Sequence, residues 1–224
     1  VFLGKVGESG DIESWSTLNP LPTPIAQGNA VIVGDYLYVI GGRNNGGVMQ
    51  STYYAPINPD GSIGTWELST FSFPGQLVSS GVVAHNNTIY IIGGVVNGSV
   101  VDKVYKTNVD TVTGEISDWE EEVSLPHPYN STNQTILVGD TIIVVGGGDS
   151  VGPLSTVYYS TINPDGTLQP WQLSSNNLPK PIAGGSVAYL NGYLYIMGGY
   201  SGGYLNDVYY SKLNIDLPPS EISL

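Results

Sequence analysis

The chain has 224 residues, of which 11% are charged and 41% hydrophobic, a balance that excludes intrinsic disorder, because disordered chains are rich in charge and poor in apolar residues. A net charge of -13, with only Lys5, Arg43, Lys103, Lys106, Lys180 and Lys212 as scattered cations, excludes nucleic acid and anionic membrane surfaces as partners. No apolar run approaches the roughly 20 residues that cross a bilayer, and the absence of cysteine removes disulfide and thiolate chemistry.

In chain order, Val1 to Val6 and the stretch to Trp15 carry the same pattern as Thr52 to Trp66, so the chain is expected to open in the last two strands of a repeating unit. Val1 stands without an initiator Met or signal peptide, which points to a mature or trimmed product. The first full unit follows. Ala30 to Val33 and Tyr36 to Ile40 are apolar, β-branched and aromatic runs around Gly34-Asp35, which predicts a hairpin of buried strands. Asn86-Asn87, Gly139-Asp140 and Asn191-Gly192 are the equivalent turns, all of residues that tolerate positive φ. Thr52 to Ile57 predicts a third strand, in which Pro56 requires a free edge for its missing N–H. Asn58-Pro59-Asp60-Gly61 is a turn, repeated unchanged as Asn163-Pro164-Asp165-Gly166, and Ser62 to Leu68 predicts a fourth strand centred on Trp66.

The unit recurs. Trp15, Trp66, Trp119 and Trp171 are separated by 51, 53 and 52 residues, and Gly41-Gly42, Gly93-Gly94, Gly146-Gly147 and Gly198-Gly199 keep the same step. Leu21-Pro22, Phe73-Pro74, Leu125-Pro126 and Leu178-Pro179 mark the connectors, and Tyr53, Tyr105, Tyr158 and Tyr209 the third strands. A period near fifty predicts units that cannot bury their apolar faces alone and must stack, with the tryptophans buried at equivalent blade positions.

These residues resemble the kelch family, in which a hydrophobic run, Gly-Gly, Tyr and Trp recur about every fifty residues. The likeness spans nearly the whole chain and is greatest to the looser kelch-like repeats of secreted and surface proteins. It implies an all-β propeller of four-stranded antiparallel blades, about four repeats, within a larger ring or one completed by another chain. The repeats fall at roughly 17–66, 67–119, 120–171 and 172–213, with a partial blade at 1–16, and Leu217 to Leu224 reads as a linker or tail. Val1 to Val6 and Val208 to Leu213 both carry the third-strand pattern, so they are expected in different blades with an open edge to be capped.

Function is expected on the face that carries the loops between strands two and three and the Pro-rich connectors, because loops on a rigid scaffold carry binding. Its polar candidates are Gln27, Arg43, Gln76, His127, Asn133, Asp149, Lys180 and Tyr200, and Tyr129, Tyr200 and Tyr204 are the candidates for stacking on a sugar. The copper radical oxidases of the galactose oxidase type share the propeller but need clustered His and a modified Cys, and this chain has two His and no Cys. Sialidases bind a carboxylate with three arginines, against the single Arg43 here. Glu120-Glu121-Glu122 alternate faces on a strand and read as a solvated edge, and Asp60 and Asp165 serve their turns rather than a calcium loop. No cofactor or metal is expected. The reading is a non-catalytic binding or adhesion module, outside the cell or on its surface, with a protein or glycan ligand. A carbohydrate-active enzyme completed by further blades and a structural subunit that self-assembles through open half-blades are the alternatives. Sequons at Asn86, Asn97, Asn130 and Asn133 add weak support for an exterior location.

Overall fold

The computed structural model describes residues 1–131 and 133–213, and all of their helix-or-strand structure is strand. The chain opens with a two-stranded hairpin, β1 (Phe2–Val6) and β2 (Ile12–Thr17). Blade one joins β3 (Asn29–Val33) and β4 (Tyr36–Ile40), crosses a small hairpin of β5 (Arg43–Asn44) and β6 (Gly47–Val48), and closes with β7 (Thr52–Pro56) and β8 (Glu67–Leu68). Blade two begins at its connector with β9 (Leu77–Val78), then β10 (Gly81–His85) and β11 (Thr88–Ile92). Its loop hairpin is β12 (Val95–Val96) and β13 (Ser99–Val100), followed by β14 (Val104–Asn108) and β15 (Glu120–Glu122). Blade three is β16 (Thr135–Val138), β17 (Thr141–Val145), β18 (Val157–Thr161) and β19 (Gln172–Leu173). Blade four has three strands among the described residues, β20 (Ser186–Leu190), β21 (Tyr193–Met197) and β22 (Val208–Lys212). Every pairing is antiparallel, the four main strands of a blade pair in chain order, and β3, β10, β16 and β20 stand side by side as the inner strands. The tail expected at Leu217 to Leu224 lies outside the described residues.

The paired glycines have a physical reason. Each pair ends the second strand of a blade with both φ values positive, +63 and +91 at Gly41 and Gly42. The N–H of the second glycine then donates to a carbonyl of the next connector: Gly42 to Leu77 at 2.7 Å, Gly94 to Tyr129 at 2.6 Å and Gly147 to Ile182 at 2.8 Å. A Cβ on Gly93 would stand 2.4 Å from the Tyr129 carbonyl oxygen, so the blades approach this closely only without a side chain.

Tryptophan closes the interfaces between blades one and two and between blades two and three. Trp119 packs with Phe73 at 5.3 Å between rings and joins Val33, Tyr38, Ile40 and Tyr54 of blade one to Ile89, Ile91, Val109 and Ile116 of blade two. Trp171 repeats this between blades two and three beside Leu125, Ile92, Ile142 and Val144. Tyr38 and Tyr90 also cross their interfaces, donating to the carbonyls of Gly114 at 2.9 Å and Gly166 at 2.7 Å. Burial drives the Tyr38 phenol above its ordinary range and pushes that of Tyr90 up to about 12.

Two sequence expectations are corrected. Trp66, Trp119 and Trp171 are 8%, 9% and 9% exposed, but Trp15 is 67% exposed, because among the described residues no blade stands on the outer side of its hairpin. The fourth strands are shorter than expected: Ser62 begins as an Asx turn capped by Asp60, Ile63 makes an isolated bridge to Ile57, and only Glu67–Leu68 pair as strand. Pro56 fits for that reason, since pairing with the fourth strand ends at Tyr54↔Glu67.

Candidate functional loop face

On one face, each loop between strands two and three folds back as a small hairpin tied to the connector that enters the same blade. The ties are Ala26↔Arg43, Val78↔Val95, Asn130↔Gly148 and Ala183↔Tyr200. The connector, the outgoing arm and the returning arm thus form a narrow sheet on top of each blade, so side chains at corresponding positions are held on backbone rather than on free loop. Gln76 extends this in blade two, where its N–H donates to the Asn97 side chain at 3.0 Å.

What each loop presents differs. Arg43 is exposed and makes no ion pair among the described residues. In blade three, His127 Nε2 lies 2.7 Å from Asp149 Oδ2, which joins the connector to the loop. The other carboxylate oxygen accepts the N–H groups of Val151 at 2.7 Å and Gly152 at 2.9 Å. The His127 hydrogen bond, then these two amides, hold the Asp149 carboxyl down at about 2. In blade four, Lys180 bonds Asp207 at 2.8 Å and sits 5.9 Å from the centre of the Tyr209 ring. Both contacts raise its pKa above the usual lysine value, Asp207 most. Tyr200 and Tyr204 face each other across their hairpin at 5.8 Å and 71°, and are 44% and 95% exposed.

Tyr129 does not belong to this surface. It is 2% exposed, its ring is in the interface core between blades two and three, and its hydroxyl contacts Thr135 Oγ1 at 3.2 Å and the Ser131 carbonyl. Burial raises its phenol far above the ordinary range. The residue fills the position that Leu77 and Ile182 fill at the neighbouring interfaces, a signal readable by aligning the connectors. Asp207 ends the loop expected on this face, whereas Tyr209, the other partner of Lys180, is a third-strand residue that sequence reasoning did not place there. Of the sequons, Asn86, Asn97 and Asn133 are exposed, while Asn130 is half-buried and bridged by its backbone to Gly148.

The candidates do not converge on one pocket. A cavity of about 540 Å³ lies between blades three and four, and one of about 180 Å³ lies on the opposite face between His85 and Asn163 to Gly166. Neither is lined by Arg43, His127, Asp149, Tyr200 or Tyr204. Among the described residues no three His, Cys, Asp or Glu side chains gather as a metal site requires. The face is a broad, rigid array of distinct side chains.

A comparison with curated proteins finds no match. A family model described as the KLHDC2/KLHL20/DRC7 Kelch-repeats domain matches residues 27–216. The chain belongs to the kelch-repeat family.

Proposed function

We propose that the chain is a non-catalytic protein-binding module that engages its partner through the loop face. Kelch repeats generally mediate protein binding. The observation that carries the assignment to this face is the set of backbone-clamped hairpins that hold Arg43 and the Tyr200–Tyr204 pair exposed on one side of the blades. Aromatic and Arg side chains on a pre-organised backbone are the groups that dominate protein interfaces, because they bring area and hydrogen bonds at low entropic cost. The strong acidity favours a partner that presents basic groups. An exterior location is part of the proposal and is supported by the exposed sequons; glycopeptide mass spectrometry of the native protein tests it.

Site-specific photo-crosslinkers at Arg43 or Tyr204, compared with Asp165 or Asn191 on the opposite face, test the reading. Discrete products from the first pair alone, lost in Arg43→Ala and Tyr200→Ala/Tyr204→Ala, are expected. Products only from Asp165 or Asn191 would overturn it. A glycan ligand would leave these protein crosslinks absent and quench or shift the Tyr200–Tyr204 signal on sugar titration.

A further inference from the structure

Thr88 holds in blade two the place that Tyr36 holds in blade one, since each opens its second strand opposite the last residue of the first, Val33↔Tyr36 and His85↔Thr88. Gly114 and Gly166 correspond in the same way, as the acceptors of the Tyr38 and Tyr90 hydroxyls. Between blades one and two, the Tyr36 ring fills the space beside Gly114. A Cβ added to that glycine would run into the ring, and the phenol donates to the Val112 carbonyl at 3.0 Å. Between blades two and three no ring stands there. A Cβ on Gly166 would find only the Tyr90 hydroxyl at 3.5 Å and Thr88 Oγ1 at 3.7 Å, and the cavity of about 180 Å³ opens at this spot. It is a slot of ring dimensions, and both blades that bound it carry all four strands.

The walls of the slot are polar: His85, Asn86, Asn87, Thr88, Asn163 and Asp165. Most of their donors are committed to one another. His85 Nε2 lies 2.8 Å from Asp140 Oδ1 and its Nδ1 lies 3.3 Å from Asn86 Nδ2, contacts that fit a ring donating from Nε2 and accepting at Nδ1. Thr88 Oγ1 donates to Asn108 at 2.9 Å, and Asn163 Nδ2 donates to Thr167 at 2.8 Å. Acceptors are left over. Asp165 Oδ1 takes the Thr167 hydroxyl at 2.7 Å and amide at 3.0 Å, but Oδ2 and the side-chain carbonyls of Asn86 and Asn87 accept nothing among the described residues. Those Thr167 bonds, the hydroxyl first, hold the Asp165 carboxyl below its ordinary range, so it is ionised at neutral pH. The one cation close by, Lys106, is 8% exposed and is neutralised by Glu122 at 2.6 Å.

We propose that this slot takes the guanidinium group of an arginine side chain presented by a protein partner, with Asp165 and the Asn86 and Asn87 carbonyls as its acceptors. A guanidinium is planar, so it suits a space that a phenol ring fills at the neighbouring interface, and it carries donors only. A sugar hydroxyl both donates and accepts, and among these walls only Asn87 keeps an uncommitted amide to offer it. A carboxylate answers a guanidinium with a charge-assisted hydrogen bond, and the net charge of -13 draws basic chains toward the molecule. The site lies on the face opposite the loop hairpins and is independent of them. A photo-crosslinker at Asp165 removes the carboxylate that the site uses, so the loop-face experiment does not detect it and the two readings fail separately.

Amide NMR titration with acetyl-arginine methylamide tests the site. The side-chain amides of Asn86, Asn87 and Asn163 and the backbone amide of Gly166 should shift together and saturate in the millimolar range. Asp165→Asn keeps a side-chain oxygen to cap the turn and should weaken binding about 10-fold or more. Thr88→Tyr places in blade two the ring that blade one carries and should abolish the shifts, with the circular dichroism unchanged in both variants. Acetyl-lysine methylamide should bind more weakly, because an ammonium is a point charge without the planar fork. Equal binding by the lysine probe would mean that charge alone is read, and saturation by acetyl-tyrosine methylamide in its place would mean a slot for phenol; either overturns the guanidinium assignment. Guanidinium chloride binding as tightly as the capped arginine would point to a free small cation and overturn the side-chain source. No shift with the arginine probe, or shifts that persist unchanged in Asp165→Asn, overturns the site itself.

Discussion

Trp171 and Trp15 stand at the same step of the repeat, and their surroundings could hardly differ more. Around Trp171, blade two supplies Ile92 and Leu125, blade three supplies Ile142 and Val144, and the indole N–H finds the Val123 carbonyl. Trp15 lies over Gly4 of its own hairpin and otherwise meets solvent. The same contrast runs through the sheets: Tyr38 and Ile40 of blade one are fully buried, whereas Met197 and Tyr210 of blade four are 39% and 70% exposed. Residue identity in this fold sets what an interface can be; only the neighbouring blade turns it into stability. That is the behaviour of a quasi-one-dimensional array, in which each unit is stabilised by the units it touches.

The contrast is broken most directly at the tryptophans. Trp171→Ala removes a buried indole from a packed interface and should cost about 3–5 kcal/mol, whereas Trp15→Ala, at an exposed side chain, should cost less than about 0.5 kcal/mol. Denaturant titration of the two variants checks both. Equal losses would mean that the hairpin is packed as an interior blade is, and the array description would fail.

A second contrast concerns glycines. Gly93 has φ +59 and a Cβ there would meet the Tyr129 carbonyl oxygen at 2.4 Å, so Gly93→Ala should destabilise by about 2 kcal/mol or more through strain and lost approach. Gly152, in the blade-three loop, has no neighbour within 4 Å of an added Cβ, and Gly152→Ala should fall within about 0.5 kcal/mol of the parent. Thermal melts of the pair suffice, and a neutral Gly93→Ala would remove the close approach of blades as the reason for the double glycines.

The repeat was legible because three of its markers answer to strict local needs. Gly-Gly serves positive φ and interblade hydrogen bonds, Trp fills a slot, and Gly or Asn occupies tight turns such as Asn86 and Asn191, with φ of 51 and 52. Tyr129 was misread because its neighbours Pro128 and Asn130 look like loop, while the position is defined by a blade on the other side of it. The short fourth strands were hidden for a related reason: Trp66 and Ile63 turn toward the interface, and that packing, rather than β propensity, decides how far the strand pairs. The pairing of His127 with Asp149 spans 22 residues and two elements, a separation that no short pattern encodes.

The smallest expected effect sharpens the comparison at the loop face, where blade three is braced and blade four ends in the open Tyr200–Tyr204 hairpin. Asp149 holds its loop through the Val151 and Gly152 amides and holds the connector through His127, and these bonds keep its carboxyl at about 2, below its usual 3.8. A depressed carboxyl stabilises the structure fully above its unfolded-state pKa, and that contribution is lost as pH falls through the folded-state value. The bracing should therefore be intact from about pH 5 upward and disappear between about pH 4 and 2. The Val151 and Gly152 amide resonances should follow one titration with a midpoint near 2, absent in Asp149→Asn, while amides of the Ser201–Gly203 hairpin, none of which donates to a carboxylate among the described residues, stay flat. A midpoint near 3.8 would mean that Asp149 is free of its partners in solution, and the two loops would then be equally open.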